Sequence, residues 1–179
     1  MNVARRGGWI QTYTGRQFWP LDPRIEDIDI HDIAHALSHQ CRYSGHCLRF
    51  YSVAEHSVLL SHHVAGEHML WALLHDAWEA YLVDLARPIK PHLTGYVEAE
   101  ERGLALIAER FGLPPQIPDA VMIADGRILG DERAQNMGPC AADWDFSPEP
   151  MGIKLRFWNP VQAECAFLDR FSVLTGEQA

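Results

Sequence analysis

Residues 69–83 read MLWALLHDAWEAYLV, fifteen positions of which twelve are apolar. A helix that is apolar around its whole circumference has to be buried, so this segment forces the rest of the chain to be built around it. Its three polar residues are His75, Asp76 and Glu79. Burying ionised groups without partners costs several kcal/mol each. At helical spacing His75 and Glu79 are i,i+4 and Asp76 and Glu79 are i,i+3, which puts all three on one face. A divalent cation would compensate them, since imidazole with carboxylate suits transition metals as well as Mn²⁺ or Mg²⁺. A buried His–Asp hydrogen bond without a metal would satisfy the same pair.

Two further segments bear on that choice. Ser52-Val53-Ala54-Glu55 has the spacing of a capping box, predicting a helix from Ser52 to about Val64. His56 lies on its apolar stripe with Val53, Leu60 and Val64. Asp125 sits in VMIADGRIL, on the stripe of Val121 and Ile128, within a helix expected from near Pro118 to about Met137. Three helices thus each turn a metal-capable side chain inward, which reads as a metal centre.

The remaining pattern is also mostly helical. WIQTYTGRQFW, residues 9–19, alternates around Thr14-Gly15 and predicts a small β-hairpin. Asp29 can cap a helix over about Ile30 to His39, and residues 40–51 read as irregular. A third helix covers about Glu67 to Val83, and an amphipathic helix runs from Gly95 to Arg110. Residues 138–158 form a long loop, and Asn159-Pro160-Val161-Gln162 opens a last helix to Leu174. The expected fold is all-α, about six helices over residues 27–179, preceded by a hairpin arm over residues 1–26.

Composition narrows the function classes. The chain has 179 residues, 47% of them hydrophobic and 22% charged, which excludes disorder, collagen and coiled coil as the main architecture. A net charge of −9 argues against a broad electrostatic grip on a nucleic-acid polymer. Cys41, Cys47, Cys140 and Cys165 contain no Cys-x-x-Cys pair, so neither a zinc ribbon nor a thioredoxin-type motif is present, and a reducing compartment is expected. Arg5-Arg6 leads into Gly-Gly instead of an apolar run, and the longest apolar run is Met69 to Leu74. The expectation is a cytoplasmic protein with no membrane partner.

A His in one helix, His-Asp in the next and an Asp later in the chain resemble the HD superfamily of metal-dependent phosphohydrolases. YSVAEHS, ALLHDAWEAYLVDLARPIK and IADGRIL resemble its 5′-deoxynucleotidase-like branch and the small bacterial and phage relatives of that branch, over residues 27 to 135. The hairpin and IAHALS are similar to those small relatives as well. The resemblance implies an HD-domain helical bundle in which His56, His75, Asp76 and Asp125 ligate one divalent cation: Mn, Co, Zn, Fe or Mg. It implies that Glu79 and Asp84 hold or activate the attacking water and that Lys90 faces phosphate. Arg42 and Tyr43 match positions that hold phosphate and base or sugar, with His46 as a further substrate contact. The chain departs from the branch in three ways. His56 and His75 are only 19 apart, Tyr43 stands where a Trp is expected, and only His92 lies between Asp76 and Asp125, which favours a single metal.

The implied reaction is hydrolysis of a nucleotide phosphate ester, with a deoxynucleoside 5′-monophosphate as first expectation and a homodimer as the expected assembly. Two alternatives stay open: a dNTP triphosphohydrolase, and a non-catalytic module that binds metal and nucleotide as a sensor. A purely structural helical domain is a third. Retention of Glu79, Asp84 and Lys90 favours an enzyme over a sensor. Plainer roles are expected elsewhere. His62 and His63 suit a helix C-terminus, and Trp71, Trp78, Tyr81 and Leu82 suit the core. His31, His35 and His39 form a stripe that is either a substrate contact or a partly exposed face. Trp9, Phe18 and Trp19 would cover one end of the core, form a dimer contact or act as a lid. Glu98, Glu100 and Glu101 suit a solvated face. Arg87 either pairs with a nearby acid or meets phosphate.

Overall fold

The structure is a computed structural model that describes residues 4–142, 144 and 149–177. Its strands are β1 (Ile10–Gln11) and β2 (Gln17–Phe18), paired antiparallel with Ile10 opposite Phe18. The helices are α1 (Ile30–His39), α2 (Val53–Ser61), α3 (Met69–Leu74), α4 (Glu79–Leu82), α5 (Tyr96–Arg110), α6 (Asp119–Asn136) and α7 (Pro160–Thr175), with short 3₁₀ turns between them. This is the expected all-α fold with an N-terminal hairpin. No helix among the described residues is long and apolar enough to cross a membrane.

Helix ends follow local chemistry. The Asp29 side chain accepts from the His31 amide, and Asn159 and Gln162 form a full capping box at the start of α7. At α2 only half of the expected box forms: Ser52 accepts from the Glu55 amide, but the Glu55 carboxylate does not turn back. It accepts instead from the amides of Arg156, Phe157 and Trp158 at 2.7, 2.9 and 2.6 Å. A tertiary contact wins because Glu55 is fully buried and three donors satisfy it better than one. Pro118 is the N-cap of α6 instead of its first helical residue.

Every residue of α2 is buried, which makes it the central helix. It packs against α1, α3, α6 and α7. Leu37, Val53, Leu73, Trp78, Phe167 and Phe171 belong to one apolar cluster, and Leu60, Trp71, Val121, Ile128 and Ile153 to another. The long loop is well anchored where it is described: Asp131 accepts from the amides of Met151 and Gly152, and Gln135 bonds Ile153 and Leu155. The hairpin covers one end of the core. Phe18 is fully buried and stacks on Tyr81 at 4.0 Å, whereas Trp9 stays exposed and Trp19 lies under the Arg5 guanidinium.

The third expected helix is broken. Residues 75–78 form turns between α3 and α4, and α4 ends at Val83 with φ 69° and ψ 146°. A β-branched residue at positive φ is strained by about 1–3 kcal/mol. At the break, His75 Nδ1 lies 2.8 Å from the Ala72 carbonyl oxygen. Nearby, Gln40 donates to the Glu79 carbonyl and accepts from the Asp84 amide, holding both sides of Val83.

Trp78 leans against α5 at Gly103, where a Cβ would fall on the indole ring. Gly103→Ala should therefore destabilise the protein by about 1–3 kcal/mol through overpacking. Helix propensity alone would stabilise it by about 1 kcal/mol. Urea denaturation of the variant reads the sign, and a stabilised variant would refute the Trp78–Gly103 contact.

Candidate metal centre

Three elements converge on one point. His56 comes from the second turn-forming stretch of α2, His75 and Asp76 from the break after α3, and Asp125 from the middle of α6. The Nε2 atoms of His56 and His75 are 3.3 Å apart, and Asp125 Oδ1 lies 3.2 Å from the first and 3.8 Å from the second. Asp76 reaches the same place, Oδ1 at 3.3 Å from His75 Nε2 and Oδ2 at 3.8 Å from His56 Nε2. Ligand bonds of 2.0–2.2 Å at right or tetrahedral angles put neighbouring donors about 3.0–3.5 Å apart. His56, His75 and Asp125 form a group that can hold a metal ion, each with a ligand atom within 4.8 Å of the others.

The protonation pattern supports the same reading. Ala72 O can only accept, so His75 Nδ1 carries the proton. His56 Nδ1 lies 2.7 Å from Glu132 Oε1. Burial opposes ionisation of Glu132, but Arg42 and His56 hold its pKa at about 2, so it too is an acceptor and His56 Nδ1 is the donor. Both imidazoles turn Nε2 toward each other and toward the carboxylates of Asp76 and Asp125. A cation between them would satisfy that arrangement. Burial and Arg42 pull the pKa of His56 down, yet Glu132 and Asp125 push it up to about 9. Asp125 is raised by burial but held far below the usual carboxylate range by hydrogen bonds from His56 and His75.

Beside this cluster opens a cavity of about 390 Å³, lined by His75, Asp76, Glu79, Arg87, Lys90 and Asp125, with an apolar wall from α5 and α6. Glu79 is buried with Oε2 unpartnered, and burial together with the charges of Asp76 and Asp84 pushes its pKa to about 10. Lys90 Nζ is 2.8 Å from Glu100 and 3.8 Å from Glu79. Glu100 therefore lines the cavity, whereas Glu98 and Glu101 are exposed as expected of a solvated face. Arg87, with its side chain 72% exposed, stands 3.8 Å from Asp125.

The other residues singled out in the sequence fall elsewhere. Arg42 is clamped between Glu132 at 3.3 Å and Asp76 at 3.5 Å, and Tyr43 donates its hydroxyl proton to Glu132. Neither lines the cavity; both hold the carboxylate that holds His56. Tyr43 and Ser44 have φ of 57° and 51°, strain that marks a constrained turn. His46 is exposed, and its ring has no hydrogen bond or ion pair among the described residues. Asp84 is half-buried and acts on Glu79 through its charge, without lining the cavity. His63 bonds the Leu59 carbonyl at the end of α2, consistent with its expected place at a helix terminus.

Glu132 was not anticipated. Its signal was available, since Glu132 is i+7 from Asp125 and continues the Val121–Asp125–Ile128 stripe of α6. An acid on a buried stripe is as conspicuous at one end as at the other. Gln40 gave no such signal, because its role depends on a strained turn at Val83.

No family model matches the chain. It is 39% identical over 173 residues to the uncharacterized protein YfdR of Escherichia coli, covering 93% of this chain and 96% of that protein. It is 37% identical over 186 residues to an uncharacterized protein of Rhodobacter capsulatus, covering 93% of this chain and 95% of that protein.

Mn²⁺ added to chelator-treated protein should raise its stability, by about 2.7 kcal/mol when free Mn²⁺ is 100 times its Kd. Thermal unfolding measures the gain, which His75→Ala and Asp125→Ala should remove. Glu132→Gln should weaken Mn²⁺ binding about 10- to 100-fold, because it frees the His56 ring. Unchanged unfolding with and without metal would reduce the cluster to a hydrogen-bonded core.

Proposed function

The chain belongs to the same family as Escherichia coli YfdR, and from its site we propose that it is a metal-dependent phosphohydrolase acting on a nucleotide. The observation that carries this reading is the convergence of His56, His75, Asp76 and Asp125 on one point, where a cation would satisfy them. The adjoining cavity supports it, since two cations, Arg87 and Lys90, and a proton-transferring acid, Glu79, line its wall. The nucleotide class rests on the resemblance of the HDAWEAYLVDLARPIK stretch to the 5′-deoxynucleotidase-like branch, with a deoxynucleoside 5′-monophosphate as first candidate. A cation held by the four ligands supplies Lewis acidity toward a phosphoryl oxygen and a nucleophilic water at neutral pH.

The roles of the chain's own groups follow from their surroundings. Arg87 is exposed at the cavity wall, so its guanidinium can meet an entering phosphate and offset charge developing in the transition state. Lys90 is positioned by Glu100 and can serve the same phosphate. Glu79 is protonated chiefly because it is buried beside Asp76 and Asp84. Its carboxyl group lines the cavity beside Asp76 and is placed to exchange a proton with an attacking water, with the charge of Asp84 raising its proton affinity. Arg42 and Tyr43 keep Glu132, and through it His56, in place.

Product analysis on nucleoside mono- and triphosphates, with Mn²⁺, Co²⁺ or Mg²⁺ added to metal-free protein, tests the proposal. Orthophosphate from monophosphates is the expected result, and tripolyphosphate from a dNTP would instead establish the triphosphohydrolase. Glu79→Gln should lower turnover by about 10²- to 10⁴-fold with metal content retained. Asp84→Asn should also reduce turnover at unchanged metal content. Metal and nucleotide binding with no product from any substrate would make the chain a sensor.

A further inference from the structure

The histidine stripe of α1 is not used by the metal centre. His35 and His39 are one helical turn apart, with ring centroids 4.2 Å from each other. Glu164 of α7 approaches the same face, its Oε2 3.0 Å from His35 Nδ1. Ligand atoms of His35, His39 and Glu164 lie within 4.8 Å of one another. No residue is shared with the centre built from α2, α6 and the turn after α3. We propose that His35, His39 and Glu164 form a second divalent-metal site, one that takes an imidazole-preferring ion such as Zn²⁺ and staples α7 to α1.

The geometry prepares the ligands. His39 Nδ1 lies 2.8 Å from the His35 carbonyl oxygen. A carbonyl only accepts, so His39 carries its proton on Nδ1 and offers Nε2 as a lone pair. A hydrogen bond of this kind orients the metal-binding histidines of known sites. The His35 ring is held by Tyr13, which stacks on it in parallel at 3.7 Å. Tyr13 is itself fixed, because the next residue, Thr14, donates its amide and hydroxyl to Asp32 on α1 at 2.7 and 3.0 Å. A cation between His35 Nδ1 and Glu164 would replace the proton they share, and their 3.0 Å separation need open only to about 3.4 Å to seat both donors on a tetrahedral Zn²⁺. Side-chain exposures of 30% and 19% leave His35 and Glu164 open to an entering ion and to water that completes its sphere.

Two imidazoles and one carboxylate also hold catalytic zinc in some hydrolases. Where such a helical histidine pair is hydrolytic, a glutamate follows the first histidine and acts as base. Here that position is Ala36. The site therefore holds a metal without a hydrolytic base, and its effect falls on the link between α1 and α7. Mn²⁺ is the weakest binder of the divalent series to such ligands and Zn²⁺ far stronger, so Zn²⁺ is the probe that reveals this site.

The test isolates the second site from the first. Chelator-treated Asp125→Asn protein, with His75→Ala as an alternative background, is titrated with Zn²⁺ by calorimetry and followed by thermal unfolding. One equivalent should bind and raise the unfolding temperature. Adding His39→Ala or Glu164→Gln should abolish both effects, with circular dichroism reporting that the fold is kept. In the otherwise native chain, those two substitutions should lower Zn²⁺ stoichiometry from two to one. Stoichiometry unchanged by His39→Ala and Glu164→Gln would overturn the proposal, as would no Zn²⁺ bound in either background. One equivalent lost with His39→Ala, and none with His75→Ala, would uphold this site while removing the metal from the other.

Discussion

The hydrogen bond from His56 to Glu132 is the constraint around which the site is organised. α2 is buried along its whole length, so the two ionisable groups in its first turns, Glu55 and His56, cannot be left to water. Glu55 is satisfied by three backbone amides at 156–158. These amides fix the chain just ahead of α7. His56 is satisfied by Glu132 on one nitrogen, which leaves the other to face His75, Asp76 and Asp125. Glu132 is in turn held by Arg42 and Tyr43. One buried helix thus ties the turn at 42–45, the helix α6 and the segment before α7 to the same few atoms.

The backbone is irregular where these ties need it to be. The helix that would run unbroken through residues 67–83 opens at 75–78, so His75 and Asp76 stand at a helix end instead of along a cylinder. Val83 is then forced to positive φ and is bracketed by Gln40. Tyr43 and Ser44 carry the same left-handed conformation on the other side of the cluster. Local strain of this size persists only when surrounding contacts over-determine it. Here those contacts are the hydrogen bonds of Gln40 and the Tyr43 hydroxyl on Glu132.

The hairpin joins the apolar core to the histidine face of α1. Phe18 belongs to the core against Tyr81 and Trp78, which settles its part in covering the helices. Tyr13 at the turn lies on His35, so the same two-stranded element that closes the core also orders the histidine face of α1. The arm and the helical body are further joined by Arg5 to Asp27 and Arg16 to Asp29, at 2.8 and 2.9 Å.

The sequence alone determined the all-α class, the hairpin, most helix limits, the inward-facing His56 and Asp125 and the burial of His75. Those follow from apolar periodicity and capping residues, which act over a few positions and are written in order along the chain. Tertiary structure decided what a local pattern cannot carry. It gave Glu55 to a loop a hundred residues away in place of its own helix cap, and it broke the helix at His75. It turned Arg42 and Tyr43 onto Glu132, and it brought Glu164 to His35. Each of these depends on which groups are buried together. A buried charge takes the partners that exclude water best, whatever their separation in sequence.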